Sequence, residues 1–216
     1  MKKIILVSSL ALACALPAAS HAESNVNGAA VSTSSVTSRL DFTVVVPSVL
    51  FLRIGTGGAI GVAGTIIDGV TFNVPATNIG DGIAIAGIGG DLTNGAVTVR
   101  VFSNFGSAVN LTSSVAGPLT SGPDTISWAQ ISVVPSPLAA PTKGFPVGNI
   151  VHPAFNTAAA GGVGLTPTSL SAIARLVRYE CQWTYSYSNT NVVPAGIYGA
   201  TTPGSNGRVT YTATQV

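Results

Sequence analysis

Short runs of β-branched and aromatic residues, each closed by turn-forming residues, most constrain what this chain can fold into. Gly, Pro, Thr, Ser and Asn recur every few residues, and the Glu, Lys, Gln and Arg that usually cover a helix surface are scarce. The pattern predicts an all-β fold in which short antiparallel strands form a sandwich. The predicted strands are 40–46, 49–54, 69–74, 83–88, 96–102, 108–115, 126–134, 178–187 and 208–214.

Strict alternation is clearest in the run 178–187. Glu180, Gln182, Thr184 and Ser186 take one face of the pleat, and the other face carries Tyr179, Cys181, Trp183, Tyr185 and Tyr187. We therefore expect the aromatic face to lie in the core. The segment 169–177 is compatible with a helical turn or with a long strand.

The first 22 residues have the organisation of a secretory signal peptide. Lys2 and Lys3 give a basic start, an apolar run follows over 4–16, and Ser20-His21-Ala22 is a small-x-small cleavage site. The apolar run is shorter than the roughly 20 residues of a membrane-spanning helix. We expect cleavage before Glu23 and export through the inner membrane, to the cell surface or beyond it. The alternative is a lipoprotein acylated at Cys14.

Charge is unusually sparse in this chain. Charged residues make up 7% of the sequence, against about 25% in an ordinary soluble domain. Lys2 and Lys3 leave with the signal peptide, so seven of the nine basic residues remain, equal to the seven acidic residues. A neutral surface provides no basic field for nucleic acid and little repulsion between copies, so it is suited to self-association.

Residues able to support catalysis are few. Cys181 is the single cysteine of the processed chain, so no intrachain disulfide is expected. His152 has no nucleophile motif beside it, and the spacing of Asp81 and Asp91 gives no evidence of a paired-carboxylate site. We therefore predict no catalytic, metal or cofactor site and do not expect an enzyme.

The processed chain begins with a polar extension, residues 23–39, ahead of a single β-sandwich domain, residues 40–216. Apolar or small residues occupy even-numbered positions of this extension, and the pattern continues into 40–46. Such a face is typical of a strand that can pair with another subunit's open sheet edge. The candidate donor-strand residues are Val26, Gly28, Ala30 and Val36. A disordered tail leading into a first strand is the alternative.

Both ends of the domain resemble a known family. The segment 192–216, with Pro194, Ala195, Gly196 and Tyr198 followed by an alternating last strand, is similar to the end of chaperone-usher fimbrial subunits and of spore-coat-U-like secreted proteins. The segment 38–55 resembles their first-strand region. The single mature cysteine and the Gln215-Val216 terminus depart from many fimbrial subunits, which have a cysteine pair and a penultimate tyrosine.

This resemblance implies an incomplete immunoglobulin-like sandwich. A periplasmic chaperone working with an outer-membrane usher would supply the missing strand first, and the N-terminal extension of the next subunit would then replace it. The candidate acceptor or chaperone-pairing residues are Val209, Tyr211 and Ala213. The expected function is a structural or adhesive subunit of a bacterial surface filament. The alternative is a monomeric secreted carbohydrate-binding or adhesin module that recognises glycans through exposed Tyr and Trp side chains.

Deletion of residues 23–36 tests the donor-strand hypothesis. We expect the shortened protein to be secreted but not to polymerise, because the extension that would enter a neighbouring subunit has been removed. Electrophoresis of unheated samples would show a ladder for the wild-type protein and a single species for the deletion. Ladders of undiminished length from the deletion variant would contradict the hypothesis.

Overall fold

The computed structural model describes residues 24–26, 28, 35–146, 148–199 and 206–216. The predicted signal peptide, Cys14 and the candidate Ala30 lie outside these residues. The chain divides after Val46 into two units, 1–46 and 47–216, whereas the sequence placed the boundary between residues 39 and 40.

The described residues of the first unit contain no strand. The predicted strand over 40–46 is absent because an extended segment becomes a strand only when a neighbouring strand pairs with its backbone. The large apolar side chains of this segment are instead 67% to 86% exposed: Leu40, Phe42, Val44, Val45 and Val46. In the interior of the second unit, by contrast, the large apolar side chains are buried.

The second unit is all-β and antiparallel, with two short 3-10 turns at Ala76–Asn78 and Trp128–Gln130. Its strands, in chain order, are β1 (Leu50–Ile54), β2 (Val70–Thr71), β3 (Ile85–Ala86), β4 (Ile88–Gly89), β5 (Ala96–Ser103), β6 (Val109–Val115), β7 (Leu119–Ser121), β8 (Asp124–Ile126), β9 (Ile131–Ser136), β10 (Gly162–Val163), β11 (Thr168–Leu170), β12 (Val177–Tyr187) and β13 (Val209–Gln215). The expectation of an antiparallel all-β fold is confirmed.

Several strand boundaries differ from the sequence prediction. The predicted strand 126–134 is interrupted after β8 because Ser127 caps a 3-10 turn, its side chain accepting a hydrogen bond from the Ala129 N–H. Only β2 forms within 69–74. In the undecided segment 169–177, a tight turn follows β11, with positive φ at Ala174 and Arg175.

The larger sheet is built on β5 and β12, which pair from Val177 opposite Ser103 to Thr184 opposite Ala96. β1 lies on the outer side of β5, and β9 and β3 pair with β12. The second sheet is centred on β6. β13 pairs with β6 along its whole length, while β10 and β11 pair with its other edge.

The core lies between these two sheets. Val99, Cys181 and Trp183 from the larger sheet pack with Val109 and Leu111 of β6, and all five are fully buried. The Trp183 indole N–H donates to the Ile150 carbonyl at 2.6 Å. The predicted aromatic core face is therefore present, with Tyr179 and Tyr185 half-buried at its margin.

The opposite face of the larger sheet buries an ion pair. Glu180 accepts from Arg100 Nε at 2.6 Å and from the Thr142 backbone N–H at 2.6 Å, and Phe145 lies 5.2 Å from the Arg100 guanidinium. Burial by itself would raise the pKa of Glu180, but hydrogen bonds from Thr142 and Arg100 hold that pKa below its usual value. The loop carrying Thr142 and Phe145 thus covers a face that alternation alone marked as polar.

Replacing one partner of this pair tests its contribution to stability. Glu180→Ala leaves the Arg100 guanidinium buried without a carboxylate, so we expect a loss of about 3–5 kcal/mol in the free energy of unfolding. Urea denaturation measures this loss. The double variant Arg100→Met/Glu180→Leu should recover most of it, because it leaves no unpaired charge. A loss below about 1 kcal/mol, the usual value for an exposed pair, would contradict the buried pairing.

Candidate functional site

β1 and β13 are two of the edge strands of the second unit. Among the described residues, β1 pairs only with β5 and β13 pairs only with β6. The other edge of each strand therefore offers a row of backbone N–H and C=O groups that have no strand partner. Such edges are the places where a further strand can be added.

An apolar cleft of about 1230 Å³ opens between β1 and β13. Leu52 and Ile54 of β1 form one side, and Val209 and Tyr211 of β13 form the other. The floor consists of core side chains from the larger sheet and from the turn after β8: Val97, Trp128, Ile131, Tyr185 and Tyr187. The two free edges thus flank a cavity that reaches into the core.

One end of this cleft is closed. Leu50, the first residue of β1, pairs with Ser103, and the Ser103 hydroxyl donates to Gln215 Oε1 at 2.8 Å. The Val216 N–H donates to the Ala108 carbonyl at 3.0 Å. These contacts bring the start of β1 towards the end of β13, so the cleft opens in the opposite direction, towards Ile54 and Val209.

The three predicted acceptor residues lie on one face of β13 but not all of them line the cleft. Val209, Tyr211 and Ala213 all point inwards on β13, since they are half-buried while the residues between them are exposed. Val209 and Tyr211 line the cleft. Ala213 instead packs against the core cluster around Trp183, nearer the closed end.

The rim of the cleft carries exposed apolar side chains that strand alternation does not predict. Ile66, Ile67 and Val74 belong to the segment 66–74 along one side, and Ile197 lies on the segment 193–199 along the other. Part of this apolar rim is visible in the sequence as the pair Ile66-Ile67 beside a Gly-rich stretch. An apolar rim favours an apolar occupant.

The Pro-Ala-Gly-x-Tyr segment, residues 194–198, forms part of the side of the cleft that carries Ile197. The Tyr198 hydroxyl donates to the Pro194 carbonyl at 2.8 Å and closes the turn. Gly196 is closely packed, since a Cβ there would lie 2.9 Å from the Ser121 Cβ. The motif that suggested the family resemblance therefore has a definite structural role.

A hydrogen-bonded aromatic group lies below the cleft. His152 Nε2 is 2.8 Å from the Tyr211 hydroxyl, which is 3.1 Å from the Tyr185 hydroxyl. Trp183 and Phe155 pack against the imidazole, with ring centroids 4.6 Å and 4.4 Å away. Burial lowers the pKa of His152 to about 4 and raises the pKa of Tyr185 to about 12. At neutral pH this group is uncharged and serves as packing.

Cys181, Asp81 and Asp91 have separate structural partners. Cys181 is buried, and burial raises the pKa of its thiol to about 11, which disfavours the reactive thiolate. Asp81 accepts from the Ile83 N–H at 2.8 Å, whereas Asp91 accepts from the Thr98 N–H at 2.7 Å and pairs with Arg53. Within the described part of the chain, no three His, Cys, Asp or Glu residues are grouped as metal ligands.

The predicted donor residues that the structure describes are all exposed. Val26, Gly28 and Val36 lie in the first unit without regular secondary structure.

No helix among the described residues has both the length and the apolar character needed to cross a membrane. No protein-family model, curated protein or solved structure matches the chain.

The buried histidine predicts a specific acid sensitivity. Because the folded state lowers the pKa of His152 from 6.5 to about 4, protons bind the unfolded state first as the pH falls. The free energy of unfolding should therefore fall between pH 6.5 and pH 4, by about 3 kcal/mol in total, and change little more from this group below pH 4. Urea denaturation between pH 7 and pH 5 measures the upper part of this window, where the carboxylates are still ionised.

His152→Phe is the matched control, since it keeps an aromatic ring among the same neighbours. Its unfolding free energy should be nearly constant between pH 7 and pH 5. Equal slopes for the wild-type and His152→Phe proteins would show that the imidazole is not protected from protonation.

Proposed function

We propose that this protein is a structural or adhesive subunit of a bacterial surface filament, assembled by β-strand donation between copies. The 47–216 unit acts as an incomplete immunoglobulin-like sandwich, and an extended N-terminal segment of a second copy completes it. The observation that carries this proposal is the apolar cleft between the free edges of β1 and β13.

The size and walls of the cleft favour an extended peptide over a small molecule. Its volume of about 1230 Å³ exceeds the roughly 300–1,000 Å³ of typical small-ligand pockets. Backbone groups without strand partners flank it, and apolar side chains form its floor. An inserted strand would pair its backbone with these edges and bury alternate side chains in the floor.

The N-terminal segment of another copy has the properties of such an occupant. Leu40, Phe42, Val44 and Val46 occupy one face of an extended chain and are largely exposed. Their burial would contribute about 25 cal/mol for each Å² of apolar surface removed from water. Val26, Gly28, Ala30 and Val36 extend the same face towards the N-terminus. We propose this continuous face as the donor strand.

The balanced charge of the chain and the head-to-tail geometry of the proposed contact both favour assembly into a fibre. Seven acidic and seven basic residues remain after the predicted processing, so copies would approach each other with little net repulsion. A contact in which the arm of one copy enters the cleft of the next is head-to-tail and does not close on itself. Repetition of such a contact produces a fibre.

The proposal also assigns partners. Before assembly, the open cleft would expose apolar surface that favours aggregation. A periplasmic chaperone that supplies a temporary strand would cover it, and an outer-membrane usher would exchange that strand for the arm of the next subunit. Host or surface glycans would be the ligands of an adhesive subunit.

The carbohydrate-binding alternative has less structural support. A sugar-stacking surface requires exposed aromatic rings, and tryptophan is especially suited to this role. Trp128 and Trp183 are both buried in the second unit. Tyr185 and Tyr211 are engaged with each other through their hydroxyl groups.

A pair of substitutions in the arm tests strand donation. Phe42→Asp places a charge on the face that would enter the apolar cleft, so we expect polymerisation to be lost. Thr43→Asp, on the opposite face of the same segment, should leave polymerisation nearly unchanged. Both side chains are exposed, so neither change should disturb the fold of the subunit. Size-exclusion chromatography and unheated electrophoresis measure the polymers.

The two variants together separate the possible outcomes. Equal polymerisation by Phe42→Asp and Thr43→Asp would contradict insertion of this face. Monomeric wild-type protein that nevertheless binds glycans would favour the alternative module. Circular dichroism of each variant verifies that the β structure is retained.

A further inference from the structure

One asparagine holds the first residues of the second unit, directly after the N-terminal arm that ends at Val46. Asn104 follows the last residue of β5, and its side-chain Oδ1 accepts from the Val49 N–H at 2.7 Å. Its Nδ2 donates to the Pro47 carbonyl at 2.8 Å, and its backbone N–H donates to the Val49 carbonyl at 3.3 Å. Three hydrogen bonds from one residue therefore tie the segment 47–49 to the end of β5.

These bonds prolong the pairing of β1 with β5. The bond from the Asn104 N–H to the Val49 carbonyl lies one step beyond the terminal pair of that ladder, Leu50 with Ser103. The Pro47 carbonyl is directed to the same side as that of Val49, as in alternate residues of a strand. The three residues before Leu50 are therefore held as a straight continuation of β1.

The even-numbered residues of β1 present its free edge. Gly55 and Val49 direct their backbone groups to the β5 side. Since such groups alternate sides along a strand, Leu50, Leu52 and Ile54 direct theirs to the free edge. The side chains of Leu52 and Ile54 also line the cleft. A segment paired with this edge would therefore place its own side chains in the cleft at the positions opposite Leu52 and Ile54.

The arm of the same subunit is one segment that could pair in this way, because it is joined directly to β1. A hairpin with a three-residue loop at 47–49 would bring the apolar face of the arm into register with the free edge. Three pairs would form: Val46 with Leu50, Val44 with Leu52 and Phe42 with Ile54. Such a subunit would fill its own cleft and would have no free arm for a neighbour.

A straight segment at 47–49 moves this fold-back to a less favourable register. The next three-residue loop that keeps the same face inwards spans 44–46, and residues 36–40 then lie opposite β1. The inward positions of that segment include a serine, and Phe42 lies beyond the free edge. Most of the apolar burial that would favour self-insertion is therefore lost.

We propose that Asn104 is a positioning residue for assembly, which holds 47–49 straight and so opposes insertion of the arm into the cleft of its own subunit. This inference rests on the proposed function, since it presumes that the arm enters such a cleft. Val49 acts in the same direction. The third residue of a three-residue hairpin loop usually has a positive φ, which a β-branched side chain disfavours.

Refolding of the processed chain from urea at one fixed concentration, followed by size-exclusion chromatography, tests the proposal. Asn104→Ala removes the side-chain bonds to Pro47 and Val49. We expect the ratio of monomer to polymer to rise about tenfold, the scale of one or two hydrogen bonds. Asn104→Ala/Val49→Gly should raise the ratio further, because glycine readily adopts the positive φ of the loop.

Asn156→Ala is the matched control. Asn156 also holds a loop through its side-chain amide, which accepts from the Ala158 N–H at 2.8 Å and donates to the Val163 carbonyl at 3.0 Å. Its replacement removes the same kind of bonds far from 47–49 in the sequence. We expect the ratio of monomer to polymer to stay within about twofold of the wild-type value. Circular dichroism verifies that each variant retains its β structure.

Peptide binding to the monomer fractions shows whether the cleft is filled. The probe is a fluorescent synthetic peptide with the wild-type sequence of residues 24–46, and fluorescence anisotropy measures its binding. Asn104→Ala monomers should not bind it, because their own arm occupies the cleft. Asn104→Ala/Phe42→Asp monomers should bind it, because the charged arm cannot enter. The Asn104→Ala monomers should also unfold at the higher temperature of the two, since their apolar arm is buried.

The outcomes separate this inference from the proposed function. Equal ratios of monomer to polymer for Asn104→Ala and Asn156→Ala would overturn the role of Asn104 and leave strand donation intact. Asn104→Ala monomers that bind the peptide as well as Asn104→Ala/Phe42→Asp monomers would show an empty cleft and would also overturn it. A peptide that binds neither these monomers nor those of Phe42→Asp alone would overturn strand donation, and the inference with it.

Discussion

The pairing of β5 with β12 is the interaction on which the rest of the second unit depends. These strands form the middle of the larger sheet, and each of their faces is covered by a different kind of contact. Trp183, with its hydrogen bond to Ile150, anchors the side that faces the second sheet. The Arg100–Glu180 pair anchors a loop on the other side. With both faces covered, this pair of strands forms the buried base of the unit.

The cleft lies between two of the sheet edges, those of β1 and β13. β1 depends on β5 and β13 depends on β6, and the two strands are brought together at one end by the Ser103–Gln215 contact. Beyond that end the sheets separate and the apolar floor becomes accessible. An open sheet edge is normally a liability that proteins blunt with charge or cover with another element. Here the rim instead carries exposed apolar side chains, among them Ile66, Ile67 and Ile197.

The sequence predicted much of the fold because alternation is a local property. Tyr179 to Tyr187 show the period of a strand without reference to any neighbour, and the inward set Val209, Tyr211 and Ala213 is evident for the same reason. The same local signal failed at 40–46, where alternation is present but the structure shows no partner strand. Alternation also did not predict that Glu180 is buried. The loop that covers it comes from residues nearly forty positions earlier, and a contact so distant in sequence produces no periodic pattern.

The sequence by itself determined an all-β, weakly charged chain with few residues suited to catalysis, and it located the inward faces of its principal strands. Only the tertiary structure decided which strands stand at sheet edges, that β1 and β13 flank one cleft, and that Glu180 is buried against Arg100. The physical reason is that side-chain alternation depends on neighbours along the chain, whereas strand order, edge exposure and hydrogen-bond satisfaction depend on residues far apart in sequence.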